Sequence, residues 1–261
     1  MKKAKVIAVA TQKGGVGKTT TSLELAASLA IEHDKKVLLI DFDSQRNLSK
    51  NLDQEDAKKT IYDVLHDPAT IKEAIIKKEH FDFLPGSEGL SKADIEYNKS
   101  DDVFLLSDVC ETVEGEYDFI VLDGGPQRNK LFEMLYVAAD YVIAPTDNTE
   151  FGSDGLINVY QDIEKLKSAR VPLSSAVVIG AVLTNYDSRT NVGKAALNIL
   201  KNVMSQINPK GFVMVASSCV SVSECKFARQ SLQEYAPYST TAMDYRKITN
   251  AILDYIDKEA S

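Results

Sequence analysis

A lysine and a threonine closing a run of glycines can hold a phosphate, and this is the first chemistry the chain offers. The run is Lys13-Gly14-Gly15-Val16-Gly17-Lys18-Thr19-Thr20. Glycines let backbone N–H groups turn inward onto phosphate oxygens, and a helix starting at the end of the loop adds the positive end of its dipole. Lys18 would reach the β- and γ-phosphates, and the Thr19 hydroxyl would ligate Mg²⁺. One position departs from the usual G-x-x-x-x-G-K-[ST] spacing. Gln12 stands where the first glycine belongs, and a second lysine, Lys13, precedes a Gly-Gly pair. A lysine so early in the loop folds back poorly onto its own phosphates. It suits phosphates bound by a second subunit, or it is a solvated loop residue.

A triphosphate with Mg²⁺ also needs carboxylates, one to hold the metal's water shell and one to orient or deprotonate an attacking water. Asp41 and Asp43 close the apolar run Val37-Leu38-Leu39-Ile40, and Asp123 closes Phe119-Ile120-Val121-Leu122. Asp43 and Asp123 are the candidates for these roles, with Asp41 behind them. An aspartate in such a place can also cap a helix or close a turn. Gly124-Gly125-Pro126 follows Asp123, so the backbone there can approach a γ-phosphate and move when it leaves.

These groups need a scaffold that brings strand ends to one edge. Val6–Ala10 before the loop reads as a strand, and Leu23, Ala26, Ala27, Leu29 and Ala30 after it keep helical spacing. Further strands are expected at residues 37–40, 81–84, 119–122, 141–144 (stopped by Pro145), 176–183 and 211–215. Helices are expected near 56–66, 69–78, 89–98, 101–114 and 241–258. Continuous apolar strands are buried on both faces, so the expected fold is α/β: a mainly parallel twisted sheet between two helical layers, the three-layer arrangement of P-loop NTPases. Right-handed crossovers then line the loops along one ligand-binding edge. With no linker, repeat or low-complexity stretch, residues 1–261 read as one domain.

Composition narrows the classes. The chain has 261 residues, 44% of them apolar, enough for a large core, and no run long enough to span a membrane. No export signal is visible, and three cysteines, Cys110, Cys219 and Cys225, suit a reducing cytoplasm and match no zinc spacing. The histidines His33, His66 and His80 fit no metal pattern and read as surface residues. A net charge of −8 argues against a generally basic surface, though not against a local basic patch.

Three segments together carry a resemblance: residues 13–20, Leu38-Leu39-Ile40-Asp41-Phe42-Asp43-Ser44-Gln45, and Tyr117-Asp118-Phe119-Ile120-Val121-Leu122-Asp123. They resemble the ParA/MinD family of deviant P-loop ATPases, with the ParA partition branch the best fit. The likeness continues through Ala138–Pro145 and Val182–Thr190. It implies a homodimer sandwiching two ATP molecules, each with Mg²⁺. Residues Lys13 to Thr20 would bind ATP, with Lys13 crossing to the other subunit's nucleotide. Asp43 would activate water, Thr19, Asp43 and Asp123 would serve the metal, and Asn185 would lie near adenine. The resemblance also implies nonspecific binding to double-stranded DNA, hydrolysis stimulated by a ParB-like adaptor, and a cytoplasmic, nucleoid-associated protein with no membrane partner.

The chain also departs from the pattern. Ser44 replaces a proline after the second motif, Gly124-Gly125-Pro126 replaces Thr-Pro-Pro, and Ser218 and Ser221 stand where partition proteins often carry DNA-binding arginines. Arg189, Lys194, Lys226 and Arg229 remain as candidate phosphate contacts, with Lys201 and Lys210 as further bases, and such binding would fall steeply with salt. The loop begins by residue 12, so a self-repressing helix-turn-helix extension is not expected. The alternative reading is a related ATPase that positions a protein or membrane-associated cargo without DNA. A non-catalytic interaction protein is disfavoured by the intact loop and aspartates, and a nitrogenase-like reductase by the placement of the cysteines.

Overall fold

A computed structural model describes residues 3–149 and 152–259. The chain runs β1 (Lys5–Val9), α1 (Lys18–His33), β2 (Val37–Phe42), α2 (Asn47–Asn51), α3 (Ile61–His66), α4 (Ile71–Ala74), β3 (Ile76–Lys77), β4 (Asp82–Leu84), α5 (Ala93–Glu96), α6 (Leu105–Val113) and β5 (Phe119–Gly124). It continues through α7 (Lys130–Ala138), β6 (Tyr141–Thr146), α8 (Gly152–Lys167), β7 (Val177–Tyr186), α9 (Asn191–Ile207), β8 (Phe212–Ser217), α10 (Ser221–Phe227), α11 (Leu232–Tyr235) and α12 (Thr240–Glu259). The eight strands of the described residues form one sheet in the order β3-β4-β2-β5-β1-β6-β7-β8. Among the described residues only the β3–β4 pair is antiparallel.

Every residue of β2, β5 and β6 is buried, as continuous apolar strands require. Side chains alternate between two cores. Ala8, Leu38, Ile40, Ile120 and Leu122 pack with residues of α3 and α6 to α9. Ile7, Val9, Leu39, Val121 and Ile143 pack with α1, α2, α11 and α12. The sheet is thus the middle of three layers. Ile248, Ile252, Tyr255 and Ile256 of α12 are buried, so this helix docks on the body as its spacing suggests. Among the described residues no helix is long and apolar enough to cross a membrane.

The topology reverses direction beside β1. The chain leaves β1 for β2 on one side, returns to β5, then crosses to β6 on the other side. Such a switch point opens a crevice at the carboxyl ends of the strands. The register pairs Asp123 of β5 with both Val9 of β1 and Asp41 of β2, so the acidic strand ends are level with the start of the glycine loop.

Several expected elements differ. The helix expected over 56–66 begins only at Ile61, and the one over 69–78 is a 3₁₀ turn (Pro68–Thr70), the short α4 and then β3. Ile75 is extended, and Ile76 pairs with Phe83, so strand pairing overrides helical spacing. The helices expected over 89–98 and 101–114 each begin as a 3₁₀ turn, at Glu88–Lys92 and Ser100–Phe104. Pro145 does not stop its strand, because β1 pairs with β6 only as far as Ile143. Beyond that point the β1 side asks Pro145 for no N–H donor.

Candidate nucleotide site

The loop after β1 is shaped by backbone that only glycine adopts easily. Gly15 and Gly17 have φ of 75° and 82°, and a Cβ at Gly17 would also lie 3.3 Å from Thr184 Cγ2. The Thr184 hydroxyl lies 3.0 Å from each of two carbonyl oxygens, those of Val16 and Thr146, and donates its hydrogen to them. This one side chain near the end of β7 therefore ties the loop to β6. Directly after Gly17, α1 begins and points its N-terminus into the crevice.

The two lysines are held very differently. Lys18 is buried, and its Nζ donates to the Lys13 carbonyl at 2.8 Å. Burial lowers its pKa, while Asp123 and Asp43 pull the other way. Lys13 Nζ donates to Asp147 Oδ1 at 2.8 Å and to Thr149 Oγ1 at 2.5 Å, in the loop after β6. In the single chain Lys13 is therefore not a solvated loop lysine but one side of an ion pair.

The three carboxylates separate by role. Asp41 accepts from the Ser49 amide at 2.8 Å and the Ser49 hydroxyl at 2.6 Å, so it is committed to fixing α2. Asp43 accepts from the Gln45 amide at 2.9 Å. Burial raises its pKa, offset in part by that bond and by Lys18. A Cβ on Gly125 would fall 2.8 Å from Asp43 Oδ1, so the glycine after β5 is what lets this carboxylate lie against the loop. Asp123 accepts from the Ser22 hydroxyl at 2.8 Å through Oδ1, while its buried Oδ2 has no hydrogen-bond partner among the described residues. Burial, then the neighbouring Asp41, push its pKa up to about 8, and the Ser22 and Thr19 hydroxyls oppose this.

That orphaned oxygen beside the Thr19 hydroxyl fits Mg²⁺, which favours oxygen donors and keeps several waters and phosphate oxygens of its own. Among the described residues no three His, Cys, Asp or Glu side chains converge as a metal cage, and an ion arriving with a triphosphate needs none.

A cavity of about 440 Å³ lies over the loop, lined by Gly14, Gly15, Gly17, Lys18, Thr19, Thr20 and Asp43. Val16 and Asp123 are buried beneath it, and Asn185, held at φ 51°, lines its side. Gln45 and Thr184, from segments that carry the resemblance, also line it, as does Tyr245, which lies outside every motif. The Tyr245 hydroxyl lies 3.0 Å from Thr21 Oγ1, which fixes α12 against α1.

The candidate DNA-contacting bases do not share this organisation. Arg189 makes a two-pronged pair with its neighbour Asp187, at 2.9 and 2.8 Å, and Asp187 is pulled down to about 2 by it. Lys194 is exposed on α9. Arg229 donates to the Lys50 carbonyl and lies 3.5 Å from Asp53. Lys226 stands on the rim of the nucleotide cavity itself.

A family profile described as an AAA domain matches residues 4–175. The chain is 31% identical to the chromosome partitioning protein ParA of Caulobacter vibrioides over 256 residues, covering 95% of this chain and 94% of that one. It is 32% identical to the sporulation initiation inhibitor protein Soj of Bacillus subtilis over 256 residues, covering 95% and 98%. In fold it matches the ATP complex of a substituted McdA from Cyanothece with a TM-score of 0.82 at 20% identity, covering 97% of each chain. The glycine loop, the strand-end aspartates and these likenesses coincide, and the chain belongs to the ParA/Soj family of P-loop ATPases.

Proposed function

We propose that this chain, working as one unit over residues 1–261, is a Mg²⁺-dependent ATP hydrolase that partitions DNA. The observation that carries the reading is the buried Asp123, whose Oδ2 has no hydrogen-bond partner among the described residues, close enough to act on Lys18, which with Thr19 and Asp43 lines one cavity. Backbone amides of residues 14–20 and the Lys18 ammonium cradle the phosphates. Mg²⁺, when bound with the nucleotide, neutralises the charge that develops on the phosphoryl oxygens. Thr19 and Asp123 hold it from the protein side, and Asp43 orients the water. Gly125 keeps room for that carboxylate. Lys13 leaves Asp147 to reach the nucleotide of a second copy, which couples ATP to homodimer formation. Asn185 and Tyr245 border the base and ribose end. A ParB-like adaptor raises a slow basal turnover, and Arg189, Lys194, Lys226 and Arg229 of two copies together contact duplex phosphates.

A second reading, an ATPase that positions a protein or membrane-associated cargo without DNA, is favoured by Ser218 and Ser221 and by Arg189 and Arg229 being already engaged within the chain. One experiment separates them. ATP-dependent retardation of an unrelated DNA duplex is measured at rising salt with the native protein and with Asp43→Ala. Partition predicts retardation that is lost as salt rises and persists longer in Asp43→Ala, whose turnover falls at least about a hundredfold. No retardation at low salt by an ATP-bound dimer would select the second reading. Normal turnover in Asp43→Ala would remove Asp43 from its assigned role.

A further inference from the structure

Arg46 stands three residues after Asp43, between Gln45 and Asn47, which line the nucleotide cavity, yet it does not line the cavity itself. Its backbone is left-handed, with φ 55° and ψ 35°, directly before α2. Glycine adopts that conformation freely, whereas an arginine there is strained. Its Nε is also buried with no hydrogen-bond partner among the described residues, as is Oε2 of Glu55. Strain and unmet polar atoms both cost stability, so the strength of the fold does not account for this residue. Such conformations persist where the surroundings over-determine them, and they cluster at working sites.

The surroundings of Arg46 are a tight turn and a clamp. The Gln45 amide donates to Asp43 Oδ1 at 2.9 Å, and the Arg46 amide donates to the Asp43 carbonyl at 3.0 Å. Both the side chain and the backbone of Asp43 are therefore held by the turn that Arg46 closes. From there the guanidinium leaves the cavity. Nη1 donates to the Glu55 carbonyl at 2.8 Å, and Nη2 meets the Glu88 carboxylate. The first contact ties residue 46 to residue 55, and the second ties both to the segment after β4. The Arg46 side chain is 19% exposed and that of Glu88 76%, so the Glu55 carbonyl is the firmer anchor. A planar guanidinium reaches two acceptors at once, which an ammonium on a flexible stem does less well.

The helix that follows has an attachment of its own. Besides its bonds to Asp41, the Ser49 hydroxyl oxygen accepts from the Gly86 amide at 2.9 Å, in a buried position. This holds α2 on the sheet whether or not Arg46 is clamped. The turn itself is held less firmly. Its other side-chain bonds among the described residues are a long one, from the Asp43 amide to Asp41 Oδ1 at 3.3 Å, and an exposed one, from Lys50 Nζ to the Gln45 carbonyl at 3.0 Å. Loss of the guanidinium should therefore free residues 43–46 without releasing α2.

We propose that Arg46 is a positioning residue for hydrolysis: by closing the turn over residues 43–46 and anchoring it to Glu55 and Glu88, it holds the Asp43 carboxylate where it can orient the attacking water. The proposal rests on the hydrolytic role given to Asp43 above. Two measurements on the full-length protein test it: turnover over a range of Mg-ATP concentrations, and amide hydrogen exchange without nucleotide. Arg46→Ala is expected to lower kcat by about tenfold to a hundredfold while KM stays within about twofold, because the phosphates are held by other residues. Its Gln45 amide should exchange about tenfold faster, with the amides of α1 unmoved. Arg46→Gly relieves the backbone but has no guanidinium, and should lose as much kcat as Arg46→Ala. Arg46→Lys reaches one anchor and should recover part of the loss. Should Arg46→Ala fail to fold, Arg46→Lys carries the test, with kcat about threefold below native and KM unmoved. Native kcat in Arg46→Gly, a rise in KM in place of the fall in kcat, or unchanged Gln45 exchange would overturn the proposal. Faster Gln45 exchange in the variants, with a native protein that never hydrolyses ATP, would overturn only the hydrolytic reading.

Discussion

The nucleotide cavity and the surface that follows β7 are built on opposite terms. Around the cavity distant parts of the chain fix Asp123 (by Ser22), Lys13 (by Asp147) and the loop itself (by Thr184), while Lys18 and Asp43 make local bonds, to the Lys13 carbonyl and from the Gln45 amide. On the far surface Arg189 leans on Asp187, two residues away, and Lys194 projects freely from α9. A triphosphate and its metal occupy one small volume, so their ligands must be held in position before they arrive, and long-range contacts do that. A DNA backbone is a long array of similar charges. Neutralising it depends on the number of nearby cations more than on the angle of any one of them.

Removal of one charge from each side is the strongest way to break this contrast. Lys18→Ala takes a buried ammonium from between Asp43 and Asp123. Mg-ATP affinity, measured by calorimetry, should drop by at least about a hundredfold, roughly 3 kcal/mol. An affinity within a few-fold of the native protein would mean that the cavity is not organised around this lysine.

The join between the two regions sharpens the comparison. Glu24 of α1 is buried among Cys225 of α10, Gln233 and Glu234 of α11 and Tyr245 of α12, and accepts from the Leu232 amide at 2.7 Å. Burial pushes its pKa up to about 8, from an ordinary 4.5. The folded chain therefore keeps a proton that the unfolded chain loses near pH 4.5, and stability falls as pH rises through the window between those values. Asp41 and Asp123, also raised, add to the same slope. Glu24→Gln keeps the acceptor and cannot ionise. Thermal unfolding of the native protein should fall in Tm between pH 5.5 and 8, and the variant should lose up to about 1.4 kcal/mol per pH unit of that slope, worth roughly 2–4 °C per kcal/mol. Parallel curves would mean that Glu24 is solvated in the folded chain.

What the sequence discloses follows the same division. Lys18, Thr19, Asp43 and Asp123 are legible because strand, loop and helix are local, and each group sits at a strand end or in a fixed-length loop. Thr184, Tyr245 and the Lys13–Asp147 pair are not, because their partners lie 168, 224 and 134 positions away. Spacing within a segment carries no information about such pairs. Likewise Ile76–Lys77 reads as helix because its neighbours keep helical periodicity, and only the pairing with β4 makes it a strand. Lys226 reads as a surface base, and only the approach of α10 to the loop puts it on the rim of the cavity.

The smallest expected effects belong to the dispersed bases, and they test the contrast from its other end. If Lys194 contacts duplex phosphate, Lys194→Ala should weaken ATP-dependent DNA binding only a few-fold at fixed salt and lower the slope of log affinity against log salt by about one unit per base removed. Arg189→Ala should do less than Lys194→Ala, because Asp187 already neutralises the guanidinium at 2.8 Å. Asp187→Ala should strengthen binding for the same reason, by freeing a cation and removing an anion. Lys226→Ala should behave differently from both, changing nucleotide affinity together with DNA affinity, since its side chain borders the cavity. Titrations at four salt concentrations, with nucleotide affinity measured in parallel, distinguish these cases. A steep loss from Lys194→Ala alone, with an unchanged salt slope, would mean a single positioned contact, and the far surface would then be organised like the cavity.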